Sequence, residues 1–450
     1  MSFRFRATSH IAFMLILLVS ACAPSPGSTP PIQPRIAPQP VAEPEPEKPV
    51  RTGPVTVALL LPLSGPTAAL GQDMLNASMM AIFDVGETDM RILPIDTAGT
   101  PEGAAEAMRV AIEREAELIL GPLYSASTAA AAPLARAAGL AMISFSNDAR
   151  VAGDGVYILG FRPEEQVERV VDYARRQGLQ RIAAIAPDDA YGARAIAAWK
   201  AAVSPRSGTS TDAGDLPLTA TAADAADATS LYAFYPPDEN EQARVIRDFT
   251  RYDGRKAALE RQIRNLSQAG DAASRAELGR LKQLDTLGDP PFDAILIADH
   301  GSRLRSAAAL LAYYDVSPEN SRFLGTMLWQ SDPRLMAEPE FQGGWIANVA
   351  PREDQVFSDR FERLYDSRPN ALAGLAYDAT ALAAVVARSD RTFPAEQLTD
   401  PAGFVGRAGI FRLRPDGLGE HGLAILEVDA GSAIVREDAP TGFHGDFLTQ

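Results

Sequence analysis

A short apolar run that gives way, through one turn, to helical periodicity constrains this chain more than anything else in it. Val55-Thr-Val-Ala-Leu-Leu-Leu61 is almost wholly apolar and rich in β-branched residues, the pattern of a strand buried on both faces of a parallel sheet. Pro62-Leu-Ser-Gly-Pro66 interrupts it with turn residues. From about Gly71 the period changes: Leu75, Met79 and Ile82 recur at helical spacing, with Met74 and Phe83 beside them, predicting a helix with that stripe buried. Strand, Ser-Gly loop and helix make the opening unit of a doubly wound α/β domain, whose ligands bind at the carboxyl ends of the strands. Ser64 and Gly65 therefore sit either in a plain turn or where backbone N–H groups and a helix start could meet a ligand.

The alternation continues. Strands are predicted at Met90–Asp96, Glu117–Gly121, Leu140–Ser144 and Val156–Phe161, and a second set begins at Arg181–Ala186. Between them lie helical stretches, one opened by Thr100 as N-cap with Pro101 at the first helical position. Regular alternation at this spacing predicts parallel sheets. In that topology Ser64, Ser125, Ser144 and Ser146 fall along one sheet edge. Each alone reads as a cap or a contact; four at equivalent loop positions point to a site. Later strands are expected at Leu231–Tyr235, Phe292–Ala298, Arg322–Met327 and Gly344–Val349, and a hairpin is expected to join Ile410–Leu413 to Leu423–Val428 across Pro415-Asp-Gly417. Arg251–Leu287 interrupts the second set and reads as an antiparallel helical pair, with stripes Leu259, Ile263, Leu266 and Leu278, Leu281, Leu284. It is either surface decoration or a protein-contact arm. Ser204–Ala228 is poor in large apolar residues and reads as a loosely packed segment.

The N-terminus reads as an address. Arg4 and Arg6 precede the apolar run Ile11–Val19, too short to span a bilayer and of signal-peptide length. Val19-Ser-Ala-Cys22 follows and resembles a bacterial lipobox, which implies lipid attachment at Cys22, the one cysteine of the chain. Acyl chains would then hold the mature protein to a membrane surface. By resemblance to enterobacterial sorting, Ala23 after the cysteine implies the outer membrane. The stretch from Ala23 to Pro54 carries 11 of the 34 prolines and should be extended. At ~3.1 Å per residue it reaches at most roughly 100 Å, as an inert spacer or as a tether whose length matters for meeting a partner.

The series LLLPLSGP, DTAGTPEGAAEA, LILGPLYSASTAAAAPLA, MISFSND and IAPDDAYG resembles the type I periplasmic solute-binding fold, two Rossmann-like lobes around a cleft. The resemblance covers roughly Val55 to Val435 and implies a division into a signal peptide (1–21), a lipidated cysteine and tether (22–54), a first lobe (55–161 with 350–406) and a second lobe (162–349 with 407–440, carrying the insertion 251–287). Chain crossings would fall near Phe161, Val349 and Gly406. Gly121-Pro-Leu-Tyr124, Gly160-Phe-Arg-Pro-Glu-Glu165, Ala190-Tyr-Gly-Ala-Arg194, Gly343-Gly-Trp-Ile346 and Phe411-Arg-Leu-Arg-Pro-Asp-Gly417, with the lipobox, resemble most the bacterial lipoprotein activators of penicillin-binding proteins. Enterobacterial activators carry an extra domain of helical repeats before this fold; here only the Pro-rich stretch stands there.

Catalytic signatures are missing from the sequence. Beyond the signal peptide the histidines are His300, His421 and His444, none paired for a metal, and there is no HExxH, GxSxG or Walker A run. A formal net charge of −16 argues against nucleic acid as a partner. The expectation is a non-enzyme without cofactor or metal. The resemblance implies a lipid-anchored regulator of a penicillin-binding protein at the periplasmic face of the outer membrane, acting on peptidoglycan synthesis. The other implied class is the amino-acid-binding receptor of an ABC importer. In that case the loops of Ser64, Ser125, Ser144 and Ser146 would hold a small amino-acid-like ligand by its carboxylate and Tyr191 would cover it. The acid needed for the ligand's amino group has candidates in Trp329-Gln-Ser-Asp332 and Asp299-His300. His300, in a strand-end loop beside the cleft, reads as a ligand contact or as a hydrogen-bonded loop residue.

Overall fold

A computed structural model describes residues 53–86, 89–204, 231–269, 271–389 and 391–443. Cys22, the Pro-rich stretch, most of Ser204–Ala228 and His444 lie outside the described residues.

The first half follows the expected alternation. Strand β1 (Val55–Leu61) is buried at every residue, as a strand covered on both faces must be. Then follow α1 (Ala68–Val85), β2 (Met90–Asp96), α2 (Pro101–Glu113), β3 (Leu118–Leu120), α3 (Ser125–Ala138), β4 (Ala141–Ser144) and β5 (Val156–Ile158). The strands form one parallel sheet in the order β2-β1-β3-β4-β5. Thr100 caps α2 by accepting from the Gly103 N–H at 3.0 Å, with Pro101 behind it.

The second sheet starts with α4 (Pro163–Arg176), β6 (Ile182–Pro187), α5 (Ala190–Val203) and β7 (Tyr232–Tyr235). Helices α6 (Glu239–Phe249), α7 (Tyr252–Ala269) and α8 (Ala272–Leu281) precede β8 (Ala294–Ile297), α9 (Gly301–Tyr313), β9 (Arg322–Thr326) and β10 (Trp345–Asn348). The chain then returns to the first core through α10 (Pro351–Tyr365), α11 (Ala373–Ser389) and α12 (Ala395–Leu398). It ends in β11 (Phe404–Gly406), β12 (Gly409–Leu413), β13 (Gly419–His421), β14 (Ala424–Asp429) and β15 (Ser432–Glu437). The second sheet has the order β15-β14-β10-β9-β8-β6-β7, parallel from β10 to β7 and antiparallel at β14 and β15. A small antiparallel sheet, β11-β12-β13, stands beside the first.

Three expectations need correction. The buried face of α1 is Gly71, Met74, Ala77, Ser78, Met80 and Ala81, with Leu75 and Ile82 partly buried against the first core, whereas Met79 and Phe83 are exposed. Helix α11 packs closely on α1, with the Ser78 hydroxyl 3.4 Å from the Ala376 carbonyl, and so close an approach selects small side chains over large apolar ones. The expected hairpin between Ile410–Leu413 and Leu423–Val428 does not form: β12 pairs with Gly419–His421, and Ala424–Asp429 pairs with β10 and β15. For the same reason the last passage between sheets falls at 421–424 rather than near Gly406. Phe411 and Leu413 are buried in the first core, and Gly417 packs so closely on Gly153 and Val156 that a Cβ there would lie 2.2 Å from the Gly153 nitrogen.

The insertion is a helical pair, α7 and α8, as expected. It is rooted at its base: Arg255, 8% exposed, donates to the carbonyls of Thr250 and Tyr314 and to the Thr286 hydroxyl. Leu259 and Leu281 are buried while Leu284 is exposed.

Candidate functional site

Each parallel sheet has one place where its strand order reverses, and the loops leaving the two flanking strands there open a crevice. In the first sheet this lies between β1 and β3, and in the second between β6 and β8. The loops concerned carry Ser64 and Gly65, then Tyr124 and Ser125, on one side, and Asp189 and Tyr191, then Asp299 and His300, on the other. Tight turns create them. Gly71 of α1 lies against the Pro62 carbonyl and Gly192 of α5 against the Pro187 carbonyl, so closely that a Cβ would approach to 2.1 and 1.9 Å.

All four expected serines stand at the carboxyl edge of the first sheet, each already hydrogen-bonded within the chain. The Ser144 hydroxyl is fully buried, donating to the Pro122 carbonyl at 3.0 Å, accepting from the Ser146 N–H and bonded to Thr128 at 2.8 Å. Ser146 is buried too, and its hydroxyl accepts from the Asp148 N–H at 3.1 Å. The Ser125 hydroxyl donates to Asp148 at 2.5 Å. The N–H groups of Leu63, Ser64 and Ala98 all donate to Asp96. Gly65 is left-handed at φ 78° and makes the turn. Thus Asp96 takes the Leu63, Ser64 and Ala98 N–H groups and Asp148 takes the Ser125 hydroxyl, donors that an anionic ligand could otherwise meet.

Both carboxylates are held ionised. Hydrogen bonds from Arg150 hold Asp148 well below the usual carboxylate range against a desolvation cost, with Ser125 adding to the effect. At Asp96, partial burial pushes upward but is outweighed by hydrogen bonds from Ser64, Ala98 and Leu63, and the net shift is downward.

The opposite wall is built from a deeper group. Asp299 at the end of β8 is fully buried, accepting from the Tyr235 hydroxyl at 2.7 Å and from Arg303 at 3.1 Å. Arg303 also reaches Asp189, which caps α5 through the Gly192 N–H. Burial, reinforced by the charge of Asp299, pushes the Tyr235 phenol far up, so it stays a donor. Tyr191 bonds to Thr326 at 3.0 Å, and burial raises its hydroxyl to about 12. His300 is half exposed, its Nδ1 3.4 Å from Asp299. Neither stretch proposed for an acid presents a free one: Trp329 is buried with its indole N–H on the Ile297 carbonyl, Asp332 pairs with Arg334, and Asp299 with Arg303. Arg194 spans the crevice, donating to Glu164 through two nitrogens and to the Asn147 carbonyl at 2.8 Å. Near the crossings, Glu165 accepts from the Arg162 N–H and lies 3.1 Å from His421 Nδ1, and the His421 ring packs on Phe161.

Sequence reasoning passed over Asp96, Asp148, Arg194 and Arg303. Two had a local signal. Asp148 follows Ser146 in the same loop and precedes Arg150, and Arg303 stands four residues after Asp299 at the start of a helix. Among the described residues no cluster of side chains is arranged to hold a metal, and no helix is long and apolar enough to cross a membrane.

Two α/β sheets with their reversal points facing loops of this kind define the type I periplasmic binding-protein fold, the fold of leucine-binding proteins. Residues 54–231 match the family described as periplasmic binding protein. Among solved structures the chain is similar to a proposed branched-chain amino acid ABC transporter protein of Rhodospirillum rubrum, at 17% identity and TM-score 0.63, covering 85% of this chain and 99% of that one. It is also similar to LivJ of Streptococcus pneumoniae, solved with isoleucine, at 14% identity and TM-score 0.53 over 86% and 100% of the two chains. A leucine-binding protein of Thermotoga maritima matches at 18% identity and TM-score 0.51 over 85% and 97%. These similarities concern the fold; the neighbours are binding proteins. One curated relative, an uncharacterised protein of Rickettsia prowazekii, is 28% identical over 119 residues, 26% of this chain, and the match spans 32% of that protein's length.

Proposed function

We propose that the protein is a non-catalytic envelope lipoprotein that binds and activates a penicillin-binding protein, anchored through Cys22 at the periplasmic face of the outer membrane. The carrying observation is the state of the first cleft wall: the hydroxyls of Ser125, Ser144 and Ser146 and the Ser64 N–H are bonded within the chain, the Ser64 N–H to Asp96 and the Ser125 hydroxyl to Asp148. A second carboxylate there meets like charge, which disfavours it. A fold that elsewhere closes on solutes then serves as a rigid body for protein contact. Activation needs only that the protein bind the active conformation of the synthase better than the inactive one. The lipobox-like run and the Pro-rich stretch support a surface anchor with reach.

The test adds the purified lipidated protein to a bifunctional penicillin-binding protein and measures glycan polymerisation and peptide crosslinking. Stimulation is expected. Crosslinking in intact cells that captures an importer permease, with no effect on the synthase, overturns the reading. The receptor alternative draws on Asp299, a buried acid at the second reversal point that could meet an ammonium group, though Arg303 already neutralises it.

A further inference from the structure

A cavity of about 400 Å³ opens on the helical face of the first core, between α1, α10 and α11. It is not the crevice. Helix α1 begins at the carboxyl edge of the sheet, beside Pro62, and the cavity is lined by Met80 and Asp84 at its far end, ~24 Å along the axis from that start at ~1.5 Å per residue. Its chemistry also differs from the acidic character of the chain. Three arginines line it, Arg352 and Arg360 on α10 and Arg407 after β11.

The acids nearby are already matched. Asp84 is bonded by Arg360 and by the Tyr377 hydroxyl at 2.8 Å. Asp354 pairs with Arg407 at 2.5 Å. Arg407 is fixed: its side chain is 8% exposed, its guanidinium lies 4.8 Å from the centre of the Phe357 ring, and its backbone N–H donates to the buried Asp378. On its other side is Gly374, where a Cβ would come within 2.1 Å of the guanidinium carbon; only glycine leaves room for this plane. The Arg407 Nε is buried and has no hydrogen-bond partner. Arg352 is exposed and has no ion-pair partner among the described residues. Between the two, the wall is apolar: Val356, one turn from both Arg352 and Arg360 and 65% exposed, with buried Phe357 and Met80.

The Arg352 guanidinium, unpaired among the described residues, beside the fixed charge of Arg407, above an aromatic and aliphatic wall and in a volume typical of small-ligand pockets, suits one kind of ligand. We propose that this cavity is a second binding site, separate from the crevice, for a small carboxylate carried on an apolar body, held by Arg352 and Arg407 with the body against Phe357, Val356 and Met80. The site stands whether or not the protein activates a synthase.

The test is methyl NMR on the full-length protein, with phenylacetate as probe and benzylamine as its cationic counterpart. Phenylacetate is expected to move the methyl signals of Met80 and Val356 with millimolar or tighter affinity, and benzylamine to leave them in place. Because Arg407 is built into the core, the decisive variant is the exposed Arg352→Glu, which keeps the fold and is expected to weaken phenylacetate binding at least tenfold. Tyr191→Phe, in the crevice, is expected to change nothing. The proposal is overturned if neither methyl moves at about 10 mM probe, if benzylamine binds equally well, or if Arg352→Glu binds as the wild type does.

Discussion

The two walls of the crevice solve one problem in opposite ways. Loops at the ends of parallel strands expose backbone donors and polar side chains that need partners. The first wall meets this with two carboxylates, each serving a group two residues on and another on a neighbouring strand-end loop: Asp96 on Ala98 and Ser64, Asp148 on Arg150 and Ser125. The second wall uses one carboxylate sunk below the surface, Asp299, tied to a phenol on β7 and a guanidinium on α9. A pair whose partner is exposed, as Arg150 is, can be altered with little loss to the fold. A buried network carries more stability and permits less change. If a solute site survives here, it should be open to redesign from the first wall and closed to it from the second.

The largest effect is therefore expected at Asp299. Asp299→Ala leaves Tyr235 and Arg303 facing a cavity and should cost about 3 kcal/mol of stability in urea denaturation, with Asp299→Asn costing less. A loss no larger than that of Asp148→Ala would erase the distinction between the walls. Next comes Asp378, behind the arginine cavity. Burial outweighs its bonds from Arg407 and pushes its carboxyl up to about 6. A folded value above the unfolded one means that the native state holds the proton more tightly, so this group's contribution falls as pH rises from about 4 to 7, by about 2 kcal/mol. The stability of the wild type should decline across that window relative to Asp378→Asn. A flat difference would show that Asp378 is no more buried in effect than Asp148.

The strands and most helices were legible because their period and turn residues are local properties. Val55–Leu61 reads as a doubly covered strand from its β-branched apolar run and the turn that ends it, and Thr100-Pro101 as a helix start. What could not be read depended on neighbours distant in sequence. The face of α1 was only half legible: Met74, Leu75 and Ile82 pack on the first core, but close contact with α11, some 300 residues on, puts Ala77 and Ser78 inside and leaves Met79 outside. The strand at Gly419–His421 was missed because its partner Phe411 and its neighbour Ile158 reach it only in the fold. The serines were placed at the carboxyl edge by alternation alone, but the bonds of Ser64 to Asp96 and of Ser125 to Asp148 join loops that meet only in the fold.

The smallest effect is the one that separates the walls most directly. The partner of Asp148, Arg150, is 87% exposed, so solvent screens the pair and its loss should cost no more than about 1 kcal/mol. That contribution has a definite pH dependence. The folded carboxyl lies well below its ordinary value because of Arg150, so the stabilisation is complete above about pH 4, the unfolded value, and is lost as pH falls below it. The gap between wild type and Asp148→Asn should therefore close in acid, opposite in sign to Asp378. Asp148→Ala also frees the Ser125 hydroxyl and removes the like charge, while Asp96 stays in place. L-leucine should leave the melting temperature of the wild type unchanged and raise that of Asp148→Ala slightly. If leucine stabilises the wild type as much as the variant, Asp148 does not guard the first wall, and the receptor reading gains over the regulator.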